Sequence, residues 1–191
     1  MIVIDDFIQD EVLLNEINND ETFFGPNGNY TWWDGWWNSP ANTVKKRLIE
    51  YIWKENSPLS YSIGLNGFEY WTGVYGPNEG VQELGTHFDK DELHWERTGG
   101  MDNDGEVLRP EIGTVYYPKN VPFKGGYLEI EHPDGVFERI QAKYNRLIIF
   151  DAGTCLHRVT PVESGTRYAI AINLWDHIPV AAQEGSMTIE S

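Results

Sequence analysis

Residues 147–175 read LIIFDAGTCLHRVTPVESGTRYAIAINLW. Two runs, 146–150 at its opening and 166–175 at its end, are rich in Ile, Leu, Tyr and Phe and are predicted strands. Successive side chains of a strand point to opposite faces. Arg167, Ala169, Ala171 and Asn173 therefore share one face, and Tyr168, Ile170, Ile172 and Leu174 share the other. The second face reads as core. The first carries the strand's only charge and two small residues, which leaves room for a ligand. His157 stands between the two runs in a further strand-like segment, and Val162-Glu163-Ser164-Gly165 reads as a turn. That turn predicts that the strands bearing His157 and Arg167 are antiparallel neighbours.

Upstream, from about Phe68, the same texture continues. Strands are predicted at 70–75, 114–117, 127–131 and 135–140, separated by Gly, Pro, Asn and Asp clusters. Before Phe68 the period changes. Val12, Leu13, Leu14 and Ile17 recur at helical spacing within 10–19, as do Val44, Leu48, Ile49, Ile52 and Trp53 within 42–54. Ser39-Pro40 is the expected start of the second helix and Ser57-Pro58 its stop. Helices followed by many short strands predict a mainly β chain, a sandwich or jelly roll with helices backing one sheet. At 191 residues one domain is expected, with a helical part at about 1–58 and a β core at about 68–177. Two segments break the pattern. Four of the eight tryptophans fall in 32–37, and 90–110 is a long polar stretch of the kind that forms lids.

The formal net charge is −16. Nucleic-acid binding and attachment to anionic membrane both rest on basic surfaces, so neither is expected. A basic or neutral small molecule or peptide is the expected partner. Cys155 is the only cysteine, so no intramolecular disulfide can form, and it reads as a small core residue. No basic segment followed by an apolar run opens the chain, and no apolar run approaches ~20 residues. A reducing, cytoplasmic location is the expectation. Oligomeric state is not legible.

The chemistry rests on a dispersed set. His87-Phe88-Asp89 places an imidazole and a carboxylate two positions apart, on one face if the segment is a strand. With His157 they make two imidazoles and one carboxylate, the donor set that suits non-haem Fe(II) and leaves coordination positions open. Of the five histidines, His132 heads a competing His132-Pro133-Asp134, but Pro133 and Gly135 make that segment a turn. His94 falls in the candidate lid and His177 lies past the last strand. A guanidinium at Arg167, ten residues after His157, can hold a carboxylate by a bidentate pair.

In this ordered set the chain resembles the Fe(II)- and 2-oxoglutarate-dependent dioxygenases, in their prolyl-hydroxylase-like branch. The resemblance runs from about residue 70 to 176. It is carried by Tyr75-Gly76-Pro77, His87-Phe88-Asp89, Val115-Tyr116-Tyr117, Gly125-Gly126-Tyr127-Leu128-Glu129-Ile130, Leu147-Ile148-Ile149-Phe150 and the stretch from His157 to Trp175. The opening Ile2-Val3-Ile4-Asp5-Asp6-Phe7 is similar to the family's usual start. The resemblance implies a double-stranded β-helix (jelly roll) backed by N-terminal α-helices. It implies Fe(II) on His87, Asp89 and His157, with 2-oxoglutarate and O2 as co-substrates. It places Arg167 on the distal carboxylate of 2-oxoglutarate, Tyr117 on the same carboxylate, Tyr75 near it, and Asn173 with them as a candidate co-substrate contact. Ala171 departs from relatives that carry a hydroxyl there, and Pro118 from those that carry leucine. Related halogenating enzymes lack the carboxylate ligand, so Asp89 favours hydroxylation, of a prolyl or other amino-acid side chain, with succinate and CO2 formed. Two other readings stay open. One is a non-catalytic jelly-roll module binding carbohydrate or protein, with the tryptophans as platform. The other is a cupin-type metalloenzyme that does not use 2-oxoglutarate.

Overall fold

The computed structural model describes residues 1–57, 59, 64–99 and 107–190. In chain order its elements are β1 (Ile2–Ile4), α1 (Glu11–Asn19), β2 (Thr31–Trp33), α2 (Val44–Glu50), β3 (Gly67–Tyr75), β4 (Leu84–His87), α3 (Glu92–Thr98), β5 (Ile112–Tyr116), β6 (Phe123–Gly125), β7 (Leu128–Glu131), β8 (Phe137–Ile140), β9 (Leu147–Phe150), β10 (His157–Val159), β11 (Val162–Gly165), β12 (Arg167–Trp175), α4 (Val180–Gln183) and β13 (Thr188–Ile189). The chain is mainly β with flanking helices. None of the described helices is long and apolar enough to cross a membrane.

Capping chemistry sets the helix starts. Asp10 accepts the backbone N–H groups of Val12 and Leu13 at the head of α1. Thr43 accepts that of Lys46 and starts α2 at Val44, four residues past the Pro40 expected to open it. The expected helix over 42–54 is realised as α2 followed by a π-helical turn, Tyr51–Glu55. Pro58, expected to stop it, lies outside the described residues.

Seven strands form one sheet in the order β1-β9-β5-β12-β3-β2-β13, and four form a second in the order β4-β10-β7-β8. β6 and β11 pair separately. One face of the large sheet presents Phe68, Tyr70, Tyr116, Leu147, Ile149, Ile170, Ile172 and Leu174, which share a core cluster with Leu13, Ile17, Leu48 and Ile49 of the helices. The other face contributes Ile148, Phe150 and Ala169 to a cluster with Leu128, Ile130 and Ile140 of the small sheet. The two sheets therefore pack face to face.

The expected pairing of the His157 and Arg167 strands is not found. β10 pairs with β4 and β7 in the small sheet, whereas β12 lies between β3 and β5 in the large one. Residues 162–165 are not a turn but strand β11, bonded to β6. Pro161 lacks the N–H that would continue the β10 ladder, so the chain leaves that sheet there. Beside β7 the last two bonds run from the Thr160 N–H to the Tyr127 carbonyl at 2.9 Å and from the Gly126 N–H to the Pro161 carbonyl at 3.0 Å. His157 and Arg167 consequently approach each other from opposite sheets.

The tryptophan cluster is largely packing. Trp32 and Trp33 are buried on β2, and the Trp33 indole N–H donates to Ser39 Oγ at 2.8 Å. The Trp36 and Trp37 rings pack on Phe68, with Trp37 partly exposed. Within the polar stretch at 90–110, residues 92–98 are helix α3, started by Asp91 and ended by Gly99 in the left-handed region. Gly100 and Asp102-Asn103-Asp104-Gly105 lie outside the described residues.

Candidate metal centre

His87 ends β4 and His157 opens β10, and the two are register partners. Neighbouring strands thus bring the imidazoles together, with ring centroids 4.3 Å apart. Asp89 lies beyond the end of β4, not on it, so strand alternation does not align it with His87. It is held instead by its backbone N–H, which donates to the Ala152 carbonyl at 2.8 Å. Its Oδ1 stands 3.4 Å from His87 Nε2 and 3.5 Å from His157 Nε2. One donor atom from each of the three residues falls within 4.8 Å of the others, close enough to hold one metal ion.

Their surroundings set the orientation of these groups. His87 Nδ1 lies 2.7 Å from the Gly85 carbonyl and His157 Nδ1 lies 3.0 Å from the Cys155 carbonyl. A carbonyl only accepts, so both Nδ1 atoms carry a proton, and Nε2 of each ring faces Asp89. Asn173 Nδ2 donates to Asp89 Oδ2 at 3.0 Å. Burial alone would raise the Asp89 carboxyl, but the two imidazoles hold it well below the usual carboxylate range. Burial works against a charged His87, and Asp89 with the Gly85 carbonyl outweighs it and raises the imidazole's pKa.

A narrow slot of about 50 Å³ between the sheets runs from this cluster to Arg167. The alternation expected for β12 holds, and Arg167, Ala169, Ala171 and Asn173 all line the slot. Arg167 is 2% exposed. It donates from Nη2 to the Tyr117 hydroxyl at 3.1 Å, and its Nε is buried without a partner. The rings of Tyr117 and Tyr75 lie 5.0 and 5.6 Å from its guanidinium carbon. Among the described residues no carboxylate pairs with it. A buried, unpaired guanidinium is costly, and an incoming carboxylate would complete it. Gly126, with φ +64°, lets the backbone pass close by. A Cβ there would stand 2.9 Å from Arg167 Cδ.

Asn173 lies apart from this end of the slot, bonded to Asp89 and, at 3.5 Å, to Glu69. Glu69 was not among the residues singled out in the sequence. It sits on β3 opposite Asn173, only 9% exposed, and accepts the Trp175 indole N–H at 3.1 Å. Burial, reinforced by the charge of Asp89, pushes its carboxyl up to about 8. The signal was one acidic residue inside the apolar run Phe68-Glu69-Tyr70-Trp71. The remaining histidines lie elsewhere. His132 heads its turn and meets Glu138 at 2.7 Å, His94 is on α3, and His177 meets Asp176 at 2.6 Å. Arg97 of the polar stretch pairs with Glu184.

No protein-family model matches the chain, and none of the curated proteins compared with it does. Solved structures do. A viral collagen prolyl hydroxylase from Paramecium Bursaria Chlorella virus-1 superposes with a TM-score of 0.52 at 19% identity, over 91% of this chain and 88% of the other. A Trichoplax adhaerens prolyl hydroxylase, solved with a hypoxia inducible factor peptide, gives 0.50 at 16% identity, over 92% and 83%. The chain has the prolyl-hydroxylase fold. It spans only 60% of the length of a Pseudomonas putida prolyl-4-hydroxylase, which matches at 22% identity with a TM-score of 0.44 over 69% of this chain.

Proposed function

We propose that this prolyl-hydroxylase-like chain is an Fe(II)- and 2-oxoglutarate-dependent dioxygenase. In this reading the two facing sheets are the halves of a double-stranded β-helix, and residues 1–191 form one catalytic domain. The observation that carries it is the slot itself. One end has two imidazoles and a carboxylate with donor atoms converging, and the other has a buried guanidinium with no anion among the described residues. A dicarboxylate spanning the two would satisfy both ends. The viral hydroxylase that shares this fold has also been solved as a 2-oxoglutarate complex.

His87, Asp89 and His157 would hold the iron, and Arg167 with Tyr117 the distal carboxylate of 2-oxoglutarate, with Tyr75 flanking. Once bound, iron, 2-oxoglutarate and O2 would supply the oxidation of a substrate C–H bond to C–OH, with 2-oxoglutarate converted to succinate and CO2. The rest is the protein's contribution. The Gly85 and Cys155 carbonyls fix both imidazole tautomers. Asn173 fixes the Asp89 rotamer. Ala169, Ala171 and Gly73 keep the slot open, while Val115, Leu128 and Phe150 line it and exclude water. The substrate class proposed is an amino-acid or peptide side chain.

The test is anaerobic titration of the metal-free protein with Fe(II) and then 2-oxoglutarate, followed by visible absorption. A weak metal-to-ligand charge-transfer band, lost in Arg167→Ala, is the expected result. Iron bound without a band would overturn the co-substrate and leave a cupin-type metalloenzyme. No iron bound would overturn the enzyme reading and leave a binding module.

A further inference from the structure

The slot opens into a wider cavity of about 540 Å³ whose walls include Glu69, Trp71, His87, Asp89 and Asn173. Its polarity is the reverse of the slot's inner end. Arg167 is opposite Tyr75 and Asn173 opposite Glu69 along the same β12–β3 ladder, so the buried cation and the buried carboxylate lie six residues apart, roughly 20 Å.

Three carboxylates besides Asp89 line the cavity, and two of them are occupied. Asp91 accepts the backbone N–H groups of His94 at 3.0 Å and Val180 at 2.7 Å. Glu92 pairs with Lys90 at 2.8 Å. Glu69 differs. Both of its hydrogen bonds, from Trp175 and Asn173, go to Oε2, and Oε1 has no donor among the described residues. A carboxylate 9% exposed with a free acceptor in a cavity wall lacks its partner. Beside it the rings of Tyr30 and Trp71 lie 5.0 Å apart and tilted by 55°, an aromatic corner suited to a cation and its alkyl stem.

We infer that this cavity takes a substrate bearing a cationic group, an ammonium or guanidinium such as a lysyl or arginyl side chain, with the charge on Glu69 and the stem against Tyr30 and Trp71. This rests on the dioxygenase reading, which makes Asp89 and its neighbours the reacting centre next to the cavity. A neutral side chain of the same shape would leave Glu69 unpaired, so discrimination falls on charge more than on size. The overall charge of −16 draws such a substrate in.

The test is anaerobic calorimetry on the full chain loaded with Fe(II) and 2-oxoglutarate. The probes are the Nα-acetyl methylamides of lysine and arginine and of their neutral counterparts norleucine and citrulline, with that of proline as a further neutral probe. At least one cationic probe is expected to bind about tenfold or more tighter than its neutral counterpart, the worth of one charged hydrogen bond. Glu69→Gln, which keeps the shape and an acceptor for the bonds from Trp175 and Asn173, is expected to erase that preference. Tyr30→Ala, at a residue 42% exposed and so safe for folding, is expected to weaken the cationic probe about threefold. Equal binding of charged and neutral probes, tighter binding of proline, no binding of either cation, or a preference that survives in Glu69→Gln would overturn the inference. The absorption band is recorded on the same sample first. A band without charge preference sinks this inference alone. No band sinks the dioxygenase reading while the charge preference is still measured.

Discussion

The two faces of β12 are built from alternate residues of one nine-residue strand, and they follow opposite rules. On the outer face Ile170, Ile172 and Leu174 are fully buried among the helices, apolar against apolar. On the inner face Arg167 and Asn173 are as deeply buried, yet the first has no counter-ion among the described residues and the second bridges two carboxylates. The outer face contributes stability and asks nothing of a ligand. The inner face gives up stability to keep charges aimed at an open slot. Substitutions on the two faces should therefore separate in what they damage.

The largest effect is expected on the inner side. His157→Ala removes one of three donors and should weaken Fe(II) binding about a thousandfold, roughly 4 kcal/mol. The metal-free protein should lose some stability as well, since the buried imidazole also faces Asp89 at 3.5 Å and bonds the Cys155 carbonyl. Titration with Fe(II) beside a thermal melt checks both. Ile172→Ala should do the converse, costing about 3 kcal/mol in urea unfolding through the cavity it leaves, with Fe(II) affinity unchanged in the folded fraction. If Ile172→Ala also weakens iron, the two faces are not independent. Asn173→Ala comes next. Loss of its bond to Asp89 should weaken Fe(II) about tenfold to a hundredfold, and the same titration reads it.

Legibility in the sequence follows the same division. The outer face could be read because burial against helices imposes a strict two-residue period, and that period sorted the inner residues of β12 correctly as well. The order His87, Asp89, His157, Arg167 pointed to the cluster and the slot. What could not be read was which sheet each strand joins. A five-residue apolar run looks the same in either sheet, and short polar strands such as β11 look like turns. The expected β10–β12 pairing failed for that reason, at Pro161. The two-residue spacing puts Asp89 on a strand with His87, whereas bonds to the Ala152 carbonyl and from Asn173 hold it beyond the end of β4. Glu69 is not legible because its significance comes from residues distant in sequence, Asn173 and Trp175 of β12 and the Tyr30 ring just before β2, and no local period reports that.

A pH dependence tests most directly what the inner face costs. An unfolded Glu69 releases its proton near the ordinary 4.5, whereas the folded chain holds it until about 8. Between those values the folded state carries the extra proton, so this group makes stability fall as pH rises through the window and level off above it. Glutamine has no such proton. In metal-free protein, Glu69→Gln should match the parent near pH 4 and become the more stable of the two above pH 8, the direction that the raised pKa sets. Urea unfolding of both across that range gives the difference curve. A flat curve would mean that Glu69 carries no stored cost, and the contrast between the two faces would then rest on Arg167 and the metal cluster alone. A rising curve that flattens when the lysine probe is added would show the cation removing the penalty, because pairing stabilises the ionised carboxylate and draws its pKa back toward the ordinary value.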